Sequence, residues 1–312
     1  MGCLFRLLRD LLLLLLIGGA AAGAYVGNAV YEDMMNAPWD TILGIRNESK
    51  DLSRAREAAR YYGGREVTVT ADDGTSLKGT YIPYGKSEKS VILIHGIYSN
   101  RSMMTPYIPM YRKMGYNVLL IDLRGHGESG GRLTWGIRET GDLGKWHQFL
   151  ETVHPDGTVG LHGVSLGAAM ALLYGGTLDG EALHFIIADS AYADLLHLGR
   201  EKVYGAYGDE RLLLGMDVIN PFFQGAMYWH TGKWLSDIEP VDAVRRMTAP
   251  VLFLHGDEDR LIPPEAAEEL GRAAGSRRKE VRLFEGAGHA MSFAVNPAGY
   301  TKAVTDFLQS LQ

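Results

Sequence analysis

The stretch that decides the fold is Thr158–Tyr174, which reads TVGLHGVSLGAAMALLY. Its apolar start, Thr158–Leu161, predicts a buried strand, and the small and apolar residues from Ser165 onward predict a helix. Between the two, Gly163–Gly167 has the form G-x-S-x-G. Because glycine lacks a Cβ and lets chain segments approach closely, this spacing predicts a sharp strand-to-helix turn with Ser165 at its apex.

The position of Ser165, more than the pentapeptide itself, makes it a candidate nucleophile. The chain has 39 glycines, so the bare motif is weak evidence. A serine on a strand-to-helix turn is held with its hydroxyl exposed at the edge of the sheet. The backbone N–H of Leu166 then lies at a helix N-terminus, where the dipole favours negative charge, and is a candidate donor to an oxyanion.

From residue 65 onward the sequence alternates between short apolar runs and helical stretches. Near-continuous apolar runs are typical of parallel strands covered on both faces, so the alternation predicts a doubly wound, mostly parallel α/β sheet. We expect the first two strands to form a hairpin around Asp73-Gly74. The predicted strands are Val67–Thr70, Ser76–Ile82, Ser90–Ile94, Asn117–Asp122, Thr158–Leu161, His184–Ala188, Pro250–Leu254 and Glu280–Phe284, and the helices between them include Met103–Met114, Thr140–Thr152 and Ser165–Tyr174.

One of the ten histidines has to serve as a base, because a serine hydroxyl is a weak nucleophile until its proton is removed. His95, His162 and His255 lie where buried strands end, which favours structural roles. His289 follows the last strand in the glycine-rich segment Glu285–Ala290, and such a loop can bring an imidazole over the edge of the sheet. The sequence therefore predicts His289 as the general base.

Two further groups complete this chemistry. An acidic residue has to hold the second ring nitrogen of the base, and the residues alone leave Asp257, Asp259 and Asp189 open, since each follows or ends a predicted strand. A second backbone N–H has to face the oxyanion together with Leu166. We expect it in the loop after Ser90–Ile94, from Ile97 or, as the alternative, from Tyr98.

Together these motifs resemble the α/β-hydrolase superfamily over about Glu66 to Leu311. The resemblance implies the α/β-hydrolase fold, with catalytic residues in the chain order Ser, Asp, His. In this superfamily the loop after the penultimate strand often reads H-G-x-x-D-x-x-[IV]-P, and matching it here makes Asp259 the acid beside Ser165 and His289. The matching stretches are His95–Ile97, Asp122–Ser129, the turn at Ser165, His255–Pro263 and Gly288-His289.

Within the superfamily the chain is most similar to membrane-tethered bacterial hydrolases, grouped loosely with serine aminopeptidase-like and dipeptidyl-peptidase-like proteins. That grouping implies the fold and the triad firmly, and the substrate only weakly. The stretch Asp122–Ser129 is a loop signature of the superfamily, and its implied role is more structural than catalytic. A single glycine follows His95, where some lipases have an HGGG run, which weakens the case for bulky tertiary or triacylglycerol esters.

The N-terminal residues Leu4–Val26 are the only strongly apolar stretch. About 20 apolar residues cross the ~30 Å hydrocarbon core of a bilayer, so this segment predicts a transmembrane helix. Arg6 and Arg9 precede its unbroken apolar run, Leu11–Ile17, which predicts a cytoplasmic N-terminus and an extracytoplasmic catalytic domain. The alternative is a signal peptide, cleaved at small residues within Ala20–Ala24, and a secreted protein.

The predicted organisation has three parts: residues 1–26 as anchor or signal segment, 27–64 as a connector with a helix over Asp51–Tyr62, and 65–312 as the hydrolase domain. Within the last part, residues 191–240 interrupt the strand–helix rhythm with many aromatic residues. A structureless loop of about fifty residues is unusual, so we expect a mostly helical cap insertion.

Composition excludes several classes of function. The chain of 312 residues has 31 Lys and Arg against 37 Asp and Glu, a net charge of −6, so it offers no basic surface for nucleic acid. Its single cysteine, Cys3, excludes an intrachain disulfide and a cysteine-based zinc site. The predicted chemistry needs neither a metal ion nor an organic cofactor.

The sequence thus predicts a serine hydrolase that cleaves carboxylic esters through an acyl-enzyme, with the membrane as a partner through its N-terminal helix. The aromatic insertion favours an apolar acyl or alcohol group. A serine exopeptidase is the alternative, and it needs an acidic residue to hold the free amine of a peptide. A non-catalytic membrane-tethered binding module is disfavoured, because every triad position is occupied. The acidic candidates for binding an amine are Asp194, Glu201, Asp209, Glu210, Asp217, Asp237 and Glu239.

Overall fold

The computed structural model describes residues 2–36 and 51–311. The chain divides into two compact units, one formed by residues 1–39 with 196–237 and the other by residues 40–195 with 238–312. Residues 37–50 of the predicted connector lie outside the described residues.

The larger unit is built on an eight-stranded sheet with the strand order β1-β2-β4-β3-β5-β6-β7-β8. The hairpin β1–β2 and the pair β2–β4 are antiparallel, and every other neighbouring pair is parallel. The predicted α/β sheet is therefore confirmed. The strands are β1 (Arg65–Thr70), β2 (Ser76–Ile82), β3 (Lys89–Ile94), β4 (Asn117–Ile121), β5 (Thr158–Val164), β6 (Phe185–Asp189), β7 (Val251–Gly256) and β8 (Lys279–Phe284).

The helices of this unit connect the strands and cover the sheet. We label them α2 (Ser53–Tyr62), α3 (Ile108–Lys113), α4 (Glu139–Val153), α5 (Leu166–Gly175), α8 (Pro240–Arg246), α9 (Glu265–Ala273), α10 (Ser292–Val295) and α11 (Pro297–Gln309). The single helix predicted over Met103–Met114 is instead a 3₁₀ helix, Arg101–Tyr107, followed by the short α3. Pro106 and Pro109 explain the break, because each lacks the N–H that a continuous α-helix would use.

Burial of the central strands explains their sequence. Every residue of β4, β6 and β7 is buried, as is all of β3 and β5 except the first residue of each. The two edge strands, β1 and β8, are mostly exposed or half-buried. Helices on both faces therefore turn the middle of the sheet into the core, and the carboxyl ends of its parallel strands are where side chains can reach a ligand.

A buried ion-pair network supports one end of this sheet. The side chains of Arg101 and Asp122 are both fully buried and form an ion pair. The same guanidinium binds Glu128 and Glu66 at 2.6 Å and donates to the hydroxyl of Thr80 at 3.0 Å. Asp122 and Glu128 both belong to the stretch Asp122–Ser129, so its expected structural role has a physical basis here.

Removing the buried cation Arg101 tests how much this network contributes to the free energy of unfolding. We expect Arg101→Ala to lower the free energy of unfolding by about 3–5 kcal/mol, because Asp122 would remain buried without its partner. The matched control is Arg56→Ala, which breaks an exposed ion pair with Glu128 and should cost less than about 1 kcal/mol. Denaturant unfolding followed by circular dichroism checks both, and similar losses for the two variants would contradict the interpretation.

The smaller unit consists of three helices: α1 (Gly2–Asn36), α6 (Leu195–Tyr207) and α7 (Glu210–Thr231). Most of the predicted insertion is thus helical. Helix α1 continues ten residues past Val26, the predicted end of the apolar segment, and its second half packs along α7. Among the described residues, one segment, Arg9–Asn36, is long and apolar enough to cross a membrane.

Candidate active site

The turn after β5 holds Ser165 in a backbone conformation that side-chain-bearing residues rarely adopt. Its φ is +55° and its ψ is −119°, between the last residue of β5 and the first of α5. The N–H of Ser165 donates to the carbonyl of Asp189 at 2.7 Å, which ties the turn to the end of β6. Residues kept in such regions cost free energy and persist only where the surroundings hold them.

Two glycines make this turn possible. A Cβ on Gly163 would lie 2.2 Å from the carbonyl oxygen of Gly167, and a Cβ on Gly167 would lie 2.3 Å from that of Ile94. Real Cβ atoms do not approach backbone that closely, so the glycines on either side of Ser165 are required by packing. The G-x-S-x-G pattern therefore reflects contact between β5, α5 and the end of β3.

The structure brings Ser165, His289 and Asp259 into one hydrogen-bonded chain. The Ser165 Oγ lies 2.8 Å from Nε2 of His289, and Nδ1 of the same ring lies 2.7 Å from Oδ2 of Asp259. A carboxylate can only accept, so the neutral ring carries its proton on Nδ1 and presents the Nε2 lone pair to the serine hydroxyl. This tautomer is the one that can take a proton from Ser165.

Asp259 is held as a carboxylate by its surroundings. Its side chain is fully buried, and its Oδ1 accepts the N–H groups of Leu261 and Ile262, both at 2.9 Å. Burial by itself would raise the pKa, but hydrogen bonds from His255 and His289 outweigh it, and the pKa of Asp259 falls below its ordinary value. Asp259 is therefore ionised at neutral pH, and the stability it contributes is lost only in strong acid.

The other two acidic candidates make different contacts. Asp257 accepts the N–H of Gly286 at 2.8 Å and so closes the base of the loop that carries His289. Asp189 accepts hydrogen bonds from the hydroxyls of Ser190 and Tyr300, both at 3.0 Å. The His289 ring is thus paired with Asp259, which the residues alone could not select.

Sequence reasoning missed a buried polar network beneath the turn. His162 lies between two tyrosine hydroxyls, at 3.0 Å from Tyr111 and 2.9 Å from Tyr300. Tyr300 in turn donates to Asp189, and burial raises the pKa of that carboxyl to about 6. Burial also lowers the pKa of His162 to about 3, so its ring stays neutral. His162 lies in the continuously buried strand β5, but Tyr300 comes from α11 and carries no local signal.

This network reaches the loop of the candidate base. The hydroxyl of Ser190 donates to Asp189 and accepts the N–H of Ala290, the residue after His289, at 3.1 Å. Ser190 and Ala290 both have positive φ values, 57° each. The network therefore links the end of β6 to the loop that positions His289.

The histidines with expected structural roles are buried where β3, β5 and β7 end. Burial lowers the pKa of His95 to about 3, and this ring accepts the N–H of Leu123 at 3.0 Å. His255 departs from a purely structural role, because its Nε2 lies 3.1 Å from Oδ2 of Asp259 and 2.9 Å from the carbonyl of Ile262. It therefore helps to fix the carboxylate that His289 contacts.

The two candidate amides come from different segments, one directly after Ser165 and the other from the loop after β3. Leu166 is the first residue of α5, where backbone N–H groups have no partner within the helix. Ile97 follows Gly96, and a Cβ on Gly96 would lie 3.4 Å from the Cβ of Ser165, so the loop after β3 runs alongside the serine. Tyr98, the alternative donor, has a φ of +53°.

Comparison with known proteins agrees with this fold. A family model described as "Alpha/beta hydrolase family" matches residues 91–303. The chain belongs to the alpha/beta hydrolase family. The predicted superfamily resemblance is thereby confirmed, and the match contains Ser165, Asp259 and His289.

Individual relatives of this alpha/beta hydrolase include proteins with and without a named activity. The uncharacterized protein YqkD of Bacillus subtilis is 30% identical over 241 residues, covering 76% of this chain and 77% of its own. The solved esterase Pf2001 of Pyrococcus furiosus superimposes with a TM-score of 0.67 at 25% identity, covering 85% of this chain and 99% of its own. An esterase of Exiguobacterium antarcticum shares the fold, with a TM-score of 0.56 at 20% identity over 78% of this chain and 99% of its own. Together these matches support a hydrolase.

The packing argument for the turn can be tested with one methyl group. We expect Gly163→Ala to cost more than about 2 kcal/mol of stability, because its Cβ would collide with backbone that cannot move aside. Gly141→Ala in α4 is the matched control, since that Cβ meets nothing within 4 Å and alanine should stabilise the helix by ~0.5–1 kcal/mol. Thermal unfolding midpoints measure both, and equal midpoints would contradict the packing argument.

Proposed function

We propose that this hydrolase cleaves carboxylic esters with an apolar acyl or alcohol group, using Ser165, His289 and Asp259 as a catalytic triad. The observation that carries the proposal is the unbroken hydrogen-bonded chain from the Ser165 hydroxyl to a buried, ionised carboxylate. The named activity of the Pyrococcus furiosus esterase, similar over most of both chains, supports the same class of substrate.

The reaction proceeds in two stages, formation of the acyl-enzyme and its hydrolysis. The Ser165 Oγ attacks the ester carbonyl carbon while Nε2 of His289 takes the hydroxyl proton, and the tetrahedral intermediate collapses when the imidazolium returns that proton to the departing alcohol. Water then enters, His289 removes one of its protons, and the hydroxide attacks the acyl-enzyme. The acid leaves and Ser165 recovers its proton. Throughout, Asp259 keeps the ring in the required tautomer and stabilises its positive charge.

Backbone amides of Leu166 and Ile97 stabilise the oxyanion in both halves of this mechanism. Each such donor typically contributes about 3 kcal/mol to the transition state. Leu166 also benefits from its place at the N-terminus of α5, where the helix dipole favours negative charge. The chemistry requires no metal ion or organic cofactor.

Peptide cleavage is the weaker alternative, because several of the carboxylates that could bind a substrate amine already have partners. Asp217 forms an ion pair with Arg200. Glu239 is buried and accepts the N–H of Leu195 at 2.5 Å. An exopeptidase needs a carboxylate left for the substrate, so these contacts favour esters.

We also propose that α1 anchors the protein in a membrane, with its N-terminus cytoplasmic and the catalytic unit outside. The length and composition of Arg9–Asn36 support a membrane span. Arg6 and Arg9 lie at its start and Glu32 and Asp33 at its end, which fits the positive-inside rule.

Covalent labelling tests the nucleophile. A fluorophosphonate probe should label the wild-type protein on Ser165, with loss of fluoride, and Ser165→Ala should abolish the labelling. Ser310→Ala, which removes an exposed serine after α11, is the matched control and should label like the wild type. In-gel fluorescence measures the label, and undiminished labelling of Ser165→Ala would exclude it as the nucleophile.

Paired chromogenic substrates test the substrate class. We expect medium-chain p-nitrophenyl esters to be turned over with a kcat/KM more than about tenfold above that for aminoacyl p-nitroanilides, a difference of at least ~1.4 kcal/mol. Absorbance of the released chromophore measures both, with Ser165→Ala as the blank. Turnover of the anilides alone would overturn the ester proposal in favour of the peptidase.

A further inference from the structure

The two halves of α1 have different surroundings. Residues 9–22 are almost entirely exposed, and the leucines and isoleucine of Leu11–Ile17 leave 48–67% of their surface uncovered. From Gly23 onward, every fourth residue forms a covered stripe. It contains Gly23, Gly27, Tyr31 and Met35, of which the last two are 5% and 8% exposed.

Helix α7 covers this stripe. The ring and backbone of Phe222 lie so close to α1 that a Cβ on Gly23 or Gly27 would fall 2.4 Å from them. Farther along, Nε2 of His230 lies 2.7 Å from the side-chain oxygen of Asn28, and the His230 ring stacks on Tyr31 with centroids 4.7 Å apart. Residues later in α7 thus contact residues later in α1, so the two helices run in the same direction.

The length of α1 needed to cross a bilayer determines the depth at which α7 contacts it. The uncovered apolar part of α1, from Leu11 to Ala22, is about 12 residues or ~18 Å long. A hydrocarbon core of ~30 Å needs about 20 residues, so a span that begins after Asp10 has to extend to about Val30. The segment Gly23–Val30, which α7 covers, therefore belongs to the span, and the part of α7 that contacts it, from Phe222 to His230, lies beside it at the depth of the outer leaflet.

The exposed side of α7 carries an apolar stripe, as contact with the hydrocarbon of a bilayer requires. At spacings of three and four residues, the helix presents an exposed stripe that contains no charged side chain between Leu214 and Trp229. Leu214, Val218 and Trp229 are 65%, 61% and 86% exposed. We call this stripe the apolar face of α7; its members are Leu214, Val218, Pro221, Gly225 and Trp229.

Aromatic side chains mark the level where the span ends. Tyr228, which directly precedes Trp229 and His230, stacks on Trp234 with the ring centroids 4.6 Å apart. His230 is the residue that meets Asn28 and Tyr31 of α1, just before the acidic pair Glu32-Asp33. Tyrosine and tryptophan are enriched where a bilayer meets water, so this cluster fits the outer interface.

We propose that α7 is a second membrane-contacting element: its segment from Phe222 to His230 lies in the outer leaflet against α1, and its apolar face turns to lipid. The inference rests on the proposed anchoring by α1 and adds that the insertion enters the bilayer with it. Asp217 lies one helical turn from Leu214, at the edge of the apolar face, and its ion pair with Arg200 of α6 reduces the cost of that charge. The partner is the hydrocarbon of the bilayer rather than a second protein.

Tryptophan quenching tests the inference in the full-length protein. In phosphatidylcholine vesicles whose acyl chains carry bromine, the emission of the wild type should be partly quenched, and Trp229→Phe should lose most of that quenching. The matched control is Trp146→Phe, which removes a tryptophan that is 1% exposed within the larger unit and should raise the quenched fraction.

The outcomes separate the two proposals. Equal quenching of the wild type and Trp229→Phe, with the protein still held in the vesicles after a carbonate wash, overturns the inference and leaves the anchor intact. Release of the protein from the vesicles by the wash overturns both. Absence of quenching together with cross-links between copies through position 229 assigns the apolar face to a second copy and likewise overturns lipid contact.

Discussion

The close contact between β5, α5 and the end of β3 is the constraint on which the candidate site depends. Without a Cβ at Gly163 or Gly167, the first turn of α5 packs directly on the carbonyl of Ile94. That approach holds Ser165 at a φ of +55°, and the same turn leaves the amide of Leu166 at the head of a helix. One packing contact therefore positions both the Ser165 hydroxyl and the Leu166 amide, one of the two proposed oxyanion donors.

A strained turn needs support, and the buried network beneath it provides this. The backbone of Ser165 is tied to Asp189, whose carboxyl binds Tyr300 and Ser190. Ser190 in turn holds the backbone at Ala290, so Ser165 and the loop of His289 share one support. The elevated pKa of Asp189 reflects how deeply this support is buried, and polar groups there stay favourable only while each has its partner.

Local patterns predicted the parts of the structure that depend on neighbours in sequence. The strands, the turn at Ser165 and the loop position of His289 all followed from short apolar runs and glycine spacing. The choice between Asp257 and Asp259 did not, because the two lie in one loop. In the sequence it rested on the resemblance to the superfamily, and in the structure the contacts with His289 and Gly286 distinguish them. The Arg101 network and the role of Tyr300 were missed for the same reason, since their partners come from distant elements.

The composition of α1 changes along its length in step with its surroundings. Leucine dominates Leu11–Leu16, where the helix meets no protein, and glycine occurs at positions 23 and 27, where Phe222 approaches. A helix surrounded only by lipid gains nothing from a glycine, which costs about 1 kcal/mol relative to alanine in a helix. Small residues are instead the means by which helices approach closely in a membrane, where apolar burial gives no driving force. The two glycines are therefore explained by α7, and α1 is a packing partner for α7 as well as the proposed membrane anchor.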